Sequence, residues 1–265
     1  MVTPAQRPPV LRTLVGVTRL LIIQPDVSDP LSRLGDWLTE AGAELDVRLP
    51  PGQELPASLD GYAGVVCLGG GMGALDDAEH PWLADVRKLL SAAAAASLPT
   101  LGICLGAQLL AAATGGQVVI GEDGPEVGPG LVSKKDAAWT DPLFADLPLM
   151  PDVMQFHNDV IKRLPAGAEL LASAPRYQNQ AFRLNRCVYG VQFHIETTPD
   201  VVLAWAEAEP EMAELTRPGA LAPEKLATVH ADIEETWRPF ASRFVQLAAG
   251  ELDAAEESQH RLPMA

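Results

Sequence analysis

The chain has 265 residues, a formal net charge of −16 at pH 7 and a hydrophobic fraction of 48%. A chain of this length and composition can bury a sizeable core without disulfide or metal cross-links, which excludes an intrinsically disordered protein. Its acidity argues against nucleic acid and membrane surfaces as general partners, because both attract basic patches.

The first half of the chain alternates between predicted strands and helices. Residues 1–17 contain three prolines and are expected to form a flexible leader. The elements that follow are predicted in the order strand 19–24, helix 31–43, strand 45–49, strand 62–68, helix 81–96, strand 100–103 and helix 105–114. This alternation is typical of an α/β fold with an open, mostly parallel sheet flanked by helices.

The second half has a different pattern. Shorter strands are predicted at 117–120, 130–134, 153–156, 179–184 and 188–194. Apolar residues then recur at helical spacing between prolines, which predicts two or three helices over 199–250 and a frayed tail over 251–265. We therefore expect a main domain over 18–200 and a helical C-terminal extension over 201–265, packed on the same domain.

The cysteines and apolar stretches indicate the compartment. Three cysteines without a CxxC pair are too few for a disulfide framework, which favours a reducing, cytoplasmic location. No signal peptide is predicted, and the alanine run at 92–96 is far shorter than the ~20 apolar residues of a membrane span. No metal site is predicted either, since histidines and carboxylates do not cluster at ligand spacing.

Cys104 lies in the segment GICLG (102–106), between a predicted buried strand and a predicted helix. Small residues on both sides of it allow the sharp strand-to-helix turn of a nucleophile elbow. The thiol would then project from the carboxyl edge of the sheet, at a helix N-terminus that favours the thiolate. The amide of Leu105 would be available as an oxyanion donor. A buried structural cysteine, as expected for Cys67 and Cys187, is the alternative.

A thiol nucleophile needs a base, and the segment VQFHIE (191–196) offers one. Alternation along a strand places His194 and Glu196 on one face, where the carboxylate can orient the imidazole. An exposed polar face at a strand end is the alternative. His157 ends another predicted strand and could face the same edge, whereas His230 is expected on the surface.

Together these residues resemble the class I, triad-type glutamine amidotransferases, and among them the stand-alone, GMP-synthase-like members. Four segments carry the resemblance in the family's order: GGGMG (69–73), GICLGAQ (102–108), FHND (156–159) and QFHIE (192–196). The resemblance covers roughly residues 18–200 and implies the family's flavodoxin-like fold. The family often has proline and serine in the glycine loop, and proline where this chain has Ile195.

By this resemblance, Cys104 attacks the side-chain amide of L-glutamine and forms a γ-glutamyl thioester. His194, held by Glu196, moves the proton from the thiol to the departing ammonia. Backbone amides at Gly71 and Leu105 would hold the oxyanion, and no cofactor is implied. The residues implied to bind the substrate are Gly70, Gln108, Glu126, His157 and Asn158.

No synthetase is predicted within the chain, since it has no P-loop and residues 200–265 are too few for an ATP-binding domain. A glutaminase would therefore pass ammonia to a separate synthetase subunit. One alternative is a γ-glutamyl peptidase or hydrolase, which applies the same chemistry to a larger γ-glutamyl conjugate. Another is a non-catalytic regulatory protein on this fold, which the intact Cys104, His194 and Glu196 argue against.

Overall fold

A computed structural model describes residues 17–256. The strands are β1 (Thr18–Ile23), β2 (Ala43–Arg48), β3 (Gly64–Cys67), β4 (Thr100–Ile103), β5 (Gln117–Ile120), β6 (Glu126–Leu131), β7 (Ser133–Lys134), β8 (Asp152–His157), β9 (Asp159–Arg163), β10 (Glu169–Ser173), β11 (Ala181–Leu184) and β12 (Val188–Val191). The helices are α1 (Ser32–Glu40), α2 (Leu83–Ala95), α3 (Leu105–Ala113), α4 (Pro199–Ala208), α5 (Pro210–Ala213) and α6 (Pro223–Ala248).

Eight strands form one sheet in the order β2-β1-β3-β4-β12-β11-β10-β7. The strands from β2 to β12 pair in parallel, and β11, β10 and β7 continue the sheet antiparallel. Two antiparallel pairs, β5 with β9 and β6 with β8, lie outside it. The predicted open, mostly parallel α/β sheet flanked by helices is confirmed.

Alternate residues of the central strands pack on opposite faces of the sheet. Leu20 and Ile22 of β1 join a core with α1 and α6, whereas Leu21 and Ile23 join a second core with α2 and α3. All four residues are fully buried. A strand that is covered on both faces has an unbroken run of apolar residues, which is why β1 could be predicted from sequence.

Several strand predictions were wrong in detail. The predicted strand 130–134 is divided between β6 and β7 at Val132, and β9 and β10 were not predicted. The predicted strand 188–194 ends at Val191, because the chain then leaves β11 and pairs with β8 through an isolated bridge between Met154 and His194. The side chain of His194 belongs to the site described below.

The helices after residue 199 are α4, α5 and α6, and α6 packs against α1 and β8. Trp237 of α6 is fully buried and donates a hydrogen bond from Nε1 to the carbonyl oxygen of Asp152 at 2.8 Å. His230 was expected on the surface but is fully buried, with its ring hydrogen-bonded to Thr197 and to the carbonyl of Leu226. An apolar helix face accepts histidine when both ring nitrogens find partners.

Two terminal segments were predicted to be flexible, the leader 1–17 and the tail 251–265, and the structure describes only part of each. The frayed tail is wrong for residues 251–256, since Ala255 is buried and exchanges hydrogen bonds with Arg186 through its amide and its carbonyl oxygen. Residues 257–265 and all but the last residue of the predicted leader 1–17 lie outside the described residues. Within residues 17–256, no helix has both the length and the apolarity that crossing a bilayer requires.

Candidate active site

Cys104 lies between the end of β4 and the start of α3, in a strained turn with φ 50° and ψ −110°. A Cβ at Gly102 would lie 2.6 Å from the carbonyl oxygen of Gly106, and a Cβ at Gly106 would lie 2.0 Å from that of Cys67. Both flanking positions therefore accept only glycine. The amide of Cys104 donates to the carbonyl of Val191 at 2.8 Å, which fixes the turn to β12.

His194 and Glu196 lie side by side and are almost fully buried. Nδ1 of His194 is 2.6 Å from Oε1 of Glu196, and Oε2 of the same carboxylate accepts from the amide of Ile195 at 2.8 Å. The main chain of His194 exchanges two hydrogen bonds with that of Met154, which fixes the backbone that carries the ring. The carboxylate thus places the imidazole proton on Nδ1 and leaves Nε2 for another partner.

The other side of the ring is near Cys104, because both residues line the same cleft and Cys104 contributes to the pKa of His194. Burial of the ring lowers the pKa of His194, but the charges of Glu196 and Cys104 and hydrogen bonds to both outweigh burial, so the pKa lies well above its ordinary value. A thiol, a base and an orienting carboxylate in series are what nucleophilic catalysis by cysteine requires.

Gln108 lies in a buried group of polar side chains that begins at the thiol. Nε2 of Gln192 is 3.9 Å from Sγ of Cys104, and its Oε1 accepts from Gln108 at 3.3 Å. Gln108 also donates to the carbonyl of Asp159 at 2.9 Å. Only the side chain of Gln192 therefore separates the predicted substrate residue Gln108 from the thiol of Cys104.

Glu126 and His157 meet in the same region. Oε2 of Glu126 is 3.3 Å from Nε2 of His157 and accepts from Gln180 at 2.7 Å. Nδ1 of His157 is 3.0 Å from the carbonyl of Asp159, the group that Gln108 also contacts. Asn158 is exposed, and the structure does not bring its side chain into this group.

The sequence interpretation missed three glutamines of this group. Gln155, Gln180 and Gln192 are all buried, and Gln155 connects two other members of the group by bonding both His157 and Gln180. Among the described residues no buried side-chain nitrogen or oxygen lacks a hydrogen-bond partner. A glutamine inside an otherwise apolar strand, as in VMQFH and GVQFH, was the available signal, because such a residue needs a buried partner.

A cleft of about 470 Å³ reaches Cys104 and His194. One wall is the loop of residues 26–30 after β1, and the other is α4 with Phe156. Trp205 of α4 ties the walls together: its ring centroid lies 4.7 Å from that of His194, and its Nε1 donates to the carbonyl of Ser28 at 2.8 Å. A larger cleft, of about 650 Å³, lies between residues 50–59 and α2, away from these groups.

Comparison with known proteins agrees with this geometry. Residues 36–202 match the family glutamine amidotransferase class-I. The chain belongs to the class I glutamine amidotransferases. It is 34% identical over 162 residues to a glutamine-hydrolyzing GMP synthase subunit of Thermoplasma acidophilum, a match that covers 61% of this chain and 76% of the relative.

A solved structure and a longer relative are also similar to this chain. A glutamine amidotransferase from Thermotoga maritima superposes on this amidotransferase with a TM-score of 0.76 at 28% identity, covering 88% of this chain and 99% of that one. The GMP synthase of Christiangramia forsetii is 32% identical over 148 residues, which are 55% of this chain. The chain spans only 27% of that relative's length.

The predicted oxyanion donors of this amidotransferase differ in their surroundings. The amide of Leu105 is in the first turn of α3, where amides have no acceptor within the helix. The amide of Gly71 instead donates to Oδ2 of Asp26 at 3.2 Å. The amide of Gly71 can therefore hold an oxyanion only when it releases Asp26 and donates to the substrate oxygen instead. Gly70 lines the cleft beside it.

Asp29 is a carboxyl group of the site that the sequence interpretation missed. It is only 8% exposed, and it packs so closely on Gly69 that a Cβ there would lie 2.2 Å from its Oδ2. Burial raises the pKa of Asp29 to about 7; the charge of His194 opposes the rise, while the nearby acidic groups add to it.

Replacing Asp29 with asparagine is expected to stabilise the amidotransferase increasingly as pH rises. Between pH 4 and 7 the folded carboxyl keeps a proton that the unfolded chain has lost. The wild-type protein therefore loses on the order of 4 kcal/mol of stability as pH rises through this interval, and asparagine does not. Thermal unfolding at pH 5 and pH 8 should show the Tm advantage of Asp29→Asn growing with pH. The exposed Asp36→Asn is the control, and a pH-independent difference would contradict the shift.

Proposed function

We propose that this amidotransferase hydrolyses the side-chain amide of L-glutamine through Cys104, His194 and Glu196, and releases ammonia and glutamate. The observation that carries the proposal is the placement of Cys104 and His194 in one cleft, with Oε1 of Glu196 2.6 Å from Nδ1 of the imidazole. Two curated relatives are named as glutamine-hydrolyzing, which supports glutamine as the substrate.

Each atom of the reaction has a partner in this arrangement. His194 holds the proton taken from the Cys104 thiol while sulfur attacks the amide carbon, and the amide of Leu105, with that of Gly71, stabilises the oxyanion. The carbon–nitrogen bond then breaks, and His194 returns the proton to the departing ammonia. Water adds to the γ-glutamyl thioester with the same histidine as base, which frees glutamate and the thiol.

The polar group around the thiol supports a glutamate-binding role. Glu126, His157 and Gln108 can offer donors and an acceptor to the α-ammonium and α-carboxylate of the substrate, with the backbone of Gly70 beside the nucleophile. We include Asn158, whose side chain is exposed, as a further substrate contact.

We further propose that the ammonia passes to a separate synthetase subunit. The Thermoplasma acidophilum relative is itself named as one subunit of a GMP synthase, and this chain covers 76% of it. Co-purification of a synthetase with the full chain, and a rise in glutamate release when the two are combined, is the result expected.

The test of the proposal is glutamate release from L-glutamine by the purified chain, together with labelling by an electrophilic glutamine analogue. Mass spectrometry should find the label on Cys104 alone. Cys67 and Cys187 are internal controls: both are buried, and burial raises the pKa of each thiol. Labelling of either one in place of Cys104 would overturn the assignment.

Exchanging Glu196 for glutamine is expected to slow glutamate release about 10²-fold or more. Both carboxylate oxygens accept hydrogen bonds, one from His194 and one from the amide of Ile195, and a glutamine has only one acceptor. If the oxygen of that glutamine accepts from the amide of Ile195, its NH₂ group faces Nδ1 of His194 and forces the wrong tautomer. Steady-state rates with matched circular dichroism spectra measure this, and a wild-type rate would exclude the orienting role.

A further inference from the structure

The cleft is much larger than the leaving group of glutamine needs. Ammonia is close in size to water, whose share of the liquid is about 30 Å³, whereas the cleft that reaches Cys104 and His194 measures about 470 Å³. The imidazole that protonates the leaving nitrogen faces this space together with the thiol. The volume next to the scissile bond could therefore hold a substituent on that nitrogen.

The charges of the cleft argue that it does not hold the glutamyl end of a substrate. Within the part of the chain that the structure describes, its lining includes four carboxyl groups and neither lysine nor arginine: the acidic residues are Asp26, Asp29, Asp200 and Glu209. A γ-glutamyl group carries an α-carboxylate, which Asp26, Asp200 and Glu209 would repel. Of the residues proposed to bind that end, Gly70 lines the cleft beside Cys104, whereas Gln108, Glu126, His157 and Asn158 do not.

The remaining surface of the cleft suits an alkyl chain that carries a positive charge. Val27, Val201 and Ala204 line it with Trp205, whose ring can contact methylene groups and attract a cation. Asp200 and Glu209, at the two ends of α4, are exposed and can therefore meet an ammonium group that enters the cleft from solvent.

We propose that this cleft is a leaving-group subsite that accepts the amine portion of an N-substituted γ-glutamyl amide, namely an alkyl diamine with a free terminal ammonium. The inference rests on the proposed thioester chemistry of Cys104. Sulfur bonds to the γ-carbon, the carbon–nitrogen bond breaks, and His194 donates its proton to the departing nitrogen. The diamine leaves, and water hydrolyses the thioester to glutamate.

A panel of γ-glutamyl amides tests the subsite with the full chain. The probes are L-glutamine and the γ-glutamyl amides of butylamine, putrescine and γ-aminobutyrate, which present no chain, a neutral chain, a cationic chain and an anionic chain. The putrescine amide should have a kcat/KM about tenfold above that of the butylamine amide and of glutamine, and the γ-aminobutyrate amide should be the poorest, because a well-placed charge contact provides about that factor.

Neutralising the two exposed carboxylates of the cleft tests whether they cause the preference for a cationic chain. The double variant Asp200→Asn with Glu209→Gln should lower the ratio of kcat/KM for the putrescine amide over the butylamine amide about fivefold. The matched control is Asp36→Asn with Glu235→Gln, two exposed carboxylates on α1 and α6 outside the cleft, which should leave the ratio unchanged.

The outcomes separate this inference from the proposed function. Glutamate release from glutamine that equals or exceeds release from the putrescine amide overturns the subsite and leaves the glutaminase intact. Equal cleavage of the cationic and anionic amides, or a ratio that the double variant does not move, also overturns it. Absence of Cys104-dependent glutamate release from every probe instead overturns the proposed function and the inference with it.

Discussion

Replacing Cys104 with alanine is expected to abolish glutamate release, with a loss of at least about 10³-fold. Sulfur is the atom proposed to bond to the substrate, and no water can occupy its place on the elbow with comparable nucleophilicity at neutral pH. The stability of the fold should change little, because the variant keeps the backbone hydrogen bond from residue 104 to Val191 and removes only one atom.

The measurement is glutamate formation from L-glutamine by both proteins, with Tm values recorded in parallel. Cys187→Ala is the matched control, since its thiol is also buried but is hydrogen-bonded to the carbonyl of Ser97 away from the triad. Retention of activity by Cys104→Ala would show that another group is the nucleophile. Unfolding of the variant would assign Cys104 a structural role instead.

Placing alanine at Gly106 is expected to be the most damaging single change to the fold near the site. Its Cβ would lie 2.0 Å from the carbonyl oxygen of Cys67 and 2.6 Å from the carbonyl carbon, both backbone atoms that no side-chain rotation can move. Helix α3 would have to shift away from β3, at a cost of about 3 kcal/mol or more. In a chain of this size that lowers Tm by roughly 10 °C.

Thermal unfolding of Gly106→Ala alongside Gly52→Ala measures this effect. Gly52 is exposed, and a Cβ there would approach only the carbonyl oxygen of Leu49, at an ordinary 3.6 Å. The control should therefore unfold near the wild-type temperature. A wild-type Tm for Gly106→Ala would mean that α3 and β3 are not packed as closely as described.

The parts of the site that could be predicted are those encoded over a few residues. Gly102 and Gly106 specify the elbow because close backbone contact excludes every other side chain at both positions. The spacing of His194 and Glu196 predicts their adjacency, which holds although β12 ends three residues before the histidine. Two-residue spacing keeps two side chains on one side of extended chain, whether or not that chain is in the sheet.

The parts that could not be predicted depend on contacts between distant segments. Asp29 and Trp205 enter the site because the loop after β1 and helix α4 meet across the cleft, and no local pattern records that meeting. The hydrogen bond from Gly71 to Asp26 also joins separate segments, 45 positions apart. His230 was placed on the surface because helical periodicity gives a face but not the partner, here Thr197, that satisfies a buried ring.

Strands β4 and β12, which lead to Cys104 and His194, are neighbours in the sheet, yet Cys104 and Gln192 are 88 positions apart in the chain. Closing so long a loop costs entropy before the contact is rewarded, so we expect pairing of β12 with β4 to follow the local contacts in folding. A ribosome-bound chain that has not yet emerged past β12 holds Cys104 without His194 and Glu196. These side chains come together only when almost the whole sheet exists, which makes the proposed chemistry a property of the completed fold.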